Sequence, residues 1–126
     1  RKKRKDPLID PRLLGIFAKK YSPDEDFDNP HISPLFGEFH DLPTTLVQVG
    51  TEEVLLDDST RLAKKMKAAG VTVELEIWNG MMHVFQYFAG LVPESNQAVK
   101  NIAAFINRQQ EYKSTNSKAA LQKEVE

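Results

Sequence analysis

Glu53 and His83 are the residues whose types and spacing could do chemistry together. Glu53 comes three residues after the apolar run Val47-Gln48-Val49-Gly50 ends. His83 lies thirty residues on, closing the loop Asn79-Gly80-Met81-Met82-His83. Both loops follow segments that read as strands, and open α/β sheets place their active sites just past the carboxyl ends of strands. A carboxylate and an imidazole so placed form an acid–base relay. The neutral ring removes a hydroxyl proton, while the carboxylate fixes its tautomer and stabilises the imidazolium. Neighbouring parallel strands are about 4.8 Å apart, a gap that glutamate and histidine side chains can span. Glu52 stands beside Glu53 as the reserve acid. Geometry alone leaves a blander reading open, since any strand–helix–strand unit can carry a carboxylate in one loop and a histidine in the next.

The elements that must position this pair are legible as patterns. Thr44 to Val49 is a β-branched run suited to a strand buried on both faces. Asp57, Asp58 and Ser59 offer N-caps for a helix whose inner stripe is Leu62, Met66 and Ala69, and Gly70 is its stop. Val71 to Trp78 alternates, apolar at 71, 73, 75 and 77, which predicts a strand with one covered face. Strand, helix and strand within this length predict a right-handed parallel βαβ unit. Asp10 and Pro11 should open an earlier helix with an apolar face of Leu13, Leu14, Phe17, Ala18 and Tyr21, ended by Ser22-Pro23. From Asp24 to Pro43 no long element is expected. Val84 to Phe88 reads as a short aromatic helix and Pro93 as the start of a longer one whose periodicity fades after Tyr112. The segments are thus a basic end over 1–5, a helix over 6–28, the βαβ portion over 29–112, and a polar tail over 113–126 expected to be frayed or disordered.

Composition removes several classes of function. Seventeen basic against eighteen acidic residues leave a net charge of −1, so the whole chain has no electrostatic reason to seek nucleic acid or an anionic membrane. The run Arg1-Lys2-Lys3-Arg4-Lys5 reads as a solvated end, and no apolar core follows it to make a leader. The first residue is not Met, which leads us to expect a fragment or a partial chain. Zero cysteines exclude thiolate catalysis, disulfides and thiolate metal sites, and are compatible with a cytoplasmic location. No apolar run reaches the roughly 18 residues of a spanning helix. His31 and His40 read as surface histidines. Ser33 precedes a proline without a strand-to-helix elbow and is no nucleophile candidate. Trp78, Phe85, Tyr87 and Phe88 read as packing.

Several blocks in register carry a resemblance. They are Asn29-Pro30-x-Ile32-Ser33-Pro34-Leu35, Leu42-Pro43-x-Thr45-Leu46-Val47-Gln48-Val49-Gly50-Thr51, Glu53-Val54-Leu55-Leu56-Asp57-Asp58-Ser59, Ala69-Gly70-Val71 and Gly80-Met81-x-His83-Val84-Phe85. Over residues 6 to 109 the chain resembles the hormone-sensitive-lipase family of α/β-hydrolases. The resemblance implies the carboxyl-terminal part of an α/β-hydrolase fold, holding the last two strands of its sheet, and a carboxylic ester hydrolase using a Ser-His-Glu/Asp triad. Glu53 stands where the family's block usually reads Asp-Pro-Leu-x-Asp. His83 matches the base of His-Gly-Phe, with Val84 in place of the glycine. Residues 6 to 27 would belong to, or lead from, the cap over the acyl pocket. No metal or organic cofactor is implied.

The family's Gly-x-Ser-x-Gly elbow and His-Gly-Gly-Gly oxyanion loop do not occur in these 126 residues. An acid and a base without nucleophile and oxyanion hole cannot form an acyl-enzyme, so the chain alone is expected to be inactive. The expected partners are an ester substrate and an N-terminal hydrolase segment, or another chain, that supplies the serine. The rival expectation is a non-catalytic remnant or interaction module. Two parallel strands leave an unpaired edge, so the chain alone should be marginal or should associate, with homo-oligomers as one form of that.

Overall fold

In the computed structural model, which describes residues 6–24 and 26–123, Asp10 and Pro11 open the first helix. The Asp10 carboxylate accepts the Arg12 backbone N–H at 2.9 Å, and Pro11 fills the first helical position, where its missing N–H is harmless. This helix, α1, runs Pro11–Tyr21, ends at Ser22 and buries none of its residues. The basic run over 1–5 lies outside the described residues. Between α1 and the first strand lie four prolines, Pro23, Pro30, Pro34 and Pro43, and among the described residues there they permit a 3-10 turn, Pro34–Phe36.

Strand β1 (Thr45–Gly50) and strand β2 (Val73–Trp78) pair in parallel, with Thr45 opposite Val73 and Gly50 opposite Trp78. Helix α2 (Leu56–Ala68) makes the crossover. Leu62, Ala63 and Met66 face inward, whereas Ala69, expected in that stripe, is the exposed C-cap; the small core is Phe39, Ala63, Met66, Val71 and Val73, against which Val47, Leu62 and Leu75 pack. Each large apolar side chain buried there stabilises the unit by about 1.5–3 kcal/mol. Across the strands, Gln48 donates to Glu76 Oε2 at 2.9 Å, and within β2 the Trp78 indole N–H donates to the same oxygen at 3.1 Å.

Three further expectations need correction. First, β1 is not buried on both faces: only Val49 and Gly50 are buried, and Thr45 to Gln48 are half-covered. Second, Asp57, Asp58 and Ser59 do not cap α2. The helix starts one turn earlier, with Leu55 at the N-cap and no side-chain cap bond, and the two aspartates lie inside the first turn. Negative charge there still complements the positive end of the helix. Third, helix α3 (Pro93–Lys123) continues over residues 113–123 of the segment expected to be a frayed tail, while 124–126 lie outside the described residues. The apolar periodicity fades, but Ala119, Ala120 and Leu121 are strong helix formers and sustain the backbone without it.

The chain divides into two compact units, Arg1–Phe85 and Gln86–Glu126. The first holds α1, β1, α2 and β2. The second is built on α3, where the Gly90 N–H donates to the Asn96 side chain at 2.6 Å just before the helix. No described helix is long and apolar enough to cross a membrane.

Candidate active site at the strand ends

Parallel pairing puts the carboxyl ends of β1 and β2 on one edge, so the loops 51–55 and 79–84 leave the sheet side by side. Backbone bonds stitch them together. The Thr51 N–H donates to the Trp78 carbonyl at 2.9 Å, the Glu52 N–H to the Met81 carbonyl at 3.0 Å, and the Gly80 N–H to the Thr51 hydroxyl at 2.8 Å. Gly50 makes this approach feasible, because a Cβ there would overlap the Met81 carbonyl. Gly80, at φ +74°, lets the second loop turn back towards the first.

Glu53 folds back over this junction, and its residue surface is 6% exposed. One carboxylate oxygen, Oε2, accepts the Gly50 N–H at 3.0 Å; the other, Oε1, lies 2.9 Å from His83 Nδ1. A carboxylate only accepts, so Nδ1 carries the proton of this bond and Nε2 is left as the ring's acceptor. The His83 side chain keeps 27% of its surface exposed. The pair therefore has a fixed carboxylate, a ring oriented through one nitrogen, and a second nitrogen able to take a proton. Glu52 is held through its backbone, and its side chain is exposed. His31 and His40 are also exposed, His40 lying 3.6 Å from a Glu38 oxygen at the surface. Trp78 packs against Phe85, ring centroids 5.6 Å apart.

The sequence reading missed one residue at this site. Asp6, 8% exposed, accepts the Leu8 N–H at 2.8 Å and the Ile9 N–H at 3.0 Å on Oδ1, and the Val54 N–H at 3.1 Å on Oδ2. Burial raises the Asp6 pKa. The N–H groups of Ile9, Leu8 and Val54, with the charge of His83, outweigh it and hold the carboxyl below its usual range. The available signal was Asp6-Pro7, because an aspartate before a short turn often accepts the N–H two residues on. The bond to Val54, 48 residues away, left no local trace.

A separate concavity of about 440 Å³ lies between the Pro34–Phe36 turn and α2, lined by Ser33, Leu35, Phe36, Leu55, Arg61 and Leu62 among others. It contains neither Glu53 nor His83.

Comparison with known proteins gives a consistent picture. Residues 1–87 match the model of an alpha/beta hydrolase fold family. An esterase of Acinetobacter venetianus is 42% identical over 101 residues, covering 79% of this chain and 33% of the relative. An acetyl-hydrolase of Streptomyces hygroscopicus is 35% identical over 105 residues, covering 83% of this chain and 35% of the relative. A crystal structure of an esterase from the bacterial hormone-sensitive lipase family superimposes with a TM-score of 0.80 at 40% identity, over 82% of this chain and 35% of that one. The chain spans about a third of the length of the curated relatives it matches.

Proposed function

The chain belongs to the α/β-hydrolase fold family, as a hormone-sensitive-lipase-like member, and on that premise we propose that it is the acid- and base-bearing portion of a carboxylic ester hydrolase. The observation that carries the proposal is the 2.9 Å contact between buried Glu53 and His83 Nδ1. In this reading His83 Nε2 takes the proton from a serine hydroxyl as the oxygen attacks the ester carbonyl, and Glu53 stabilises the resulting imidazolium. The ring then returns the proton to the departing alcohol, leaving an acyl-serine. Water, deprotonated by the same ring, releases the carboxylic acid and regenerates the serine. The nucleophile and oxyanion donors come from a segment outside these 126 residues, on the same polypeptide or another, and residues 6–27 lead from the cap over its acyl pocket.

The test is labelling with a fluorophosphonate probe, followed by turnover of a short-chain ester in a preparation that supplies the serine. His83→Ala should lower kcat by at least about 10³-fold, because triad members act as a unit. Glu53→Gln should cost about 10²–10⁴-fold through the wrong tautomer. Unchanged turnover in His83→Ala removes it from the mechanism. A second reading, a non-catalytic interaction module, draws on the exposed apolar side chains of α1 and the two-stranded sheet. Stable oligomers with no labelling of any associated polypeptide would favour it.

A further inference from the structure

Glu53 stands between two peptide groups, each tied down. On one side the Glu52 N–H is held by the Met81 carbonyl of the His83 loop at 3.0 Å. On the other the Val54 N–H is held by Asp6 Oδ2 at 3.1 Å. From these contacts we infer that Asp6 is a positioning residue, a second carboxylate that clamps the far side of the loop carrying Glu53 and so sets where its side chain meets His83. The inference rests on reading Glu53 and His83 as the acid and base of the relay.

The chemistry at Asp6 fits that role better than a local turn. An aspartate that served only its own turn would need one oxygen, and Oδ1 already serves both Leu8 and Ile9. The second oxygen goes instead to a peptide 48 residues away. A buried carboxylate is costly unless its oxygens are matched by donors; here three backbone N–H groups match it, and one of them belongs to the acid's loop. Asparagine cannot reproduce this. It has one acceptor oxygen and would turn an NH₂ group either on Val54 or on the Leu8 and Ile9 donors.

Nuclear magnetic resonance on the unmodified chain provides the first test and needs no variant. As pH falls, the Val54 amide proton should shift with the same midpoint as the Asp6 carboxyl carbon. A Val54 amide indifferent to that titration would overturn the inference. In Asp6→Asn, exchange of the Val54 amide should quicken by about tenfold or more, the change expected for about 1.4 kcal/mol of lost protection. The His83 Nδ1–H signal should move or broaden. Unchanged Val54 exchange and an unchanged ring signal would again overturn it; if the variant fails to fold, the titration decides. In a serine-supplying preparation kcat should fall by about 10- to 100-fold with KM nearly constant, as for a small misplacement of a catalytic group. Turnover also separates this inference from the reading beneath it. Full activity in His83→Ala removes the relay, whereas full activity in Asp6→Asn beside an inactive His83→Ala removes only the role of Asp6.

Discussion

Gly50 and Val84 bracket the contact between Glu53 and His83, and each holds a conformation or a clearance that its neighbours depend on. At Gly50 any side chain would meet the Met81 backbone, which cannot swing aside as a flexible side chain would. Gly50→Ala should therefore destabilise the first unit by about 1–3 kcal/mol, as overpacking does, measurable as a lower denaturant midpoint. Val84 has φ +51°, a left-handed conformation that suits glycine and not a β-branched residue. That conformation costs about 1–2 kcal/mol, while glycine would add about 0.4–1 kcal/mol of unfolded-chain entropy. Val84→Gly should leave stability unchanged or raise it by up to about 1.6 kcal/mol, and a clear fall in Tm would refute the strain. Asp6 adds a pH dependence. Its folded pKa is lowered, so its contribution is full above the unfolded value of about 3.9 and is lost as pH falls through the lower folded value. The stability gap between the native chain and Asp6→Asn should close over that acidic window. At this scale the sequence placed Glu53 and His83 after strand ends, and the structure brings them within 2.9 Å of each other. It left Glu52 open, because two adjacent glutamates differ only by the turn that folds one inward. Asp6 was hidden because its partner is distant in the chain.

At the scale of elements, the helix–strand junction after α2 shows why patterns read well. Ala69 is the C-cap, and Gly70 follows at φ +86°. The Gly70 N–H donates to the Lys67 carbonyl at 3.1 Å and the Val71 N–H to the Met66 carbonyl at 3.0 Å, the paired bonds of a Schellman motif. Met66 and Val71 then meet in the core, so the turn sets the register of β2 against α2. Gly70→Ala has free space around the new methyl but must hold a left-handed backbone, and should cost about 1–2 kcal/mol; a smaller loss would show that the junction relaxes. The glycine and the alternation of β2 spell this out in sequence. The start of α2 does not, because Leu55 caps it without a side-chain bond and the acidic residues that look like caps serve the helix dipole from inside its first turn. The later part of α3 departs from expectation for a different reason: the fading apolar stripe suggested fraying, but helix propensity outlasts that stripe as far as Lys123.

For the whole molecule, the sheet among the described residues has two strands. Two parallel strands are joined by one crossover, whereas parallel sheets ordinarily have both faces covered. Helix α1 buries nothing, leaving Phe17 57% and Tyr21 78% exposed beside exposed Leu13 and Leu14. Surfaces of this kind either acquire a partner or associate. Taken alone, the chain should bind a hydrophobic dye, unfold with a low denaturant midpoint, and elute above its 14.3 kDa mass at micromolar concentration in light-scattering chromatography. Adding a polypeptide that carries the serine-bearing part of the fold should reduce dye binding and raise the midpoint, because completing the sheet covers the same strands whose ends hold Glu53 and His83. A chain that stays monomeric, unfolds cooperatively near the stability of an ordinary domain at about 5–15 kcal/mol, and ignores the dye would mean that these strands need no further sheet. Catalysis would then have to be sought without a segment docked beside β1 and β2.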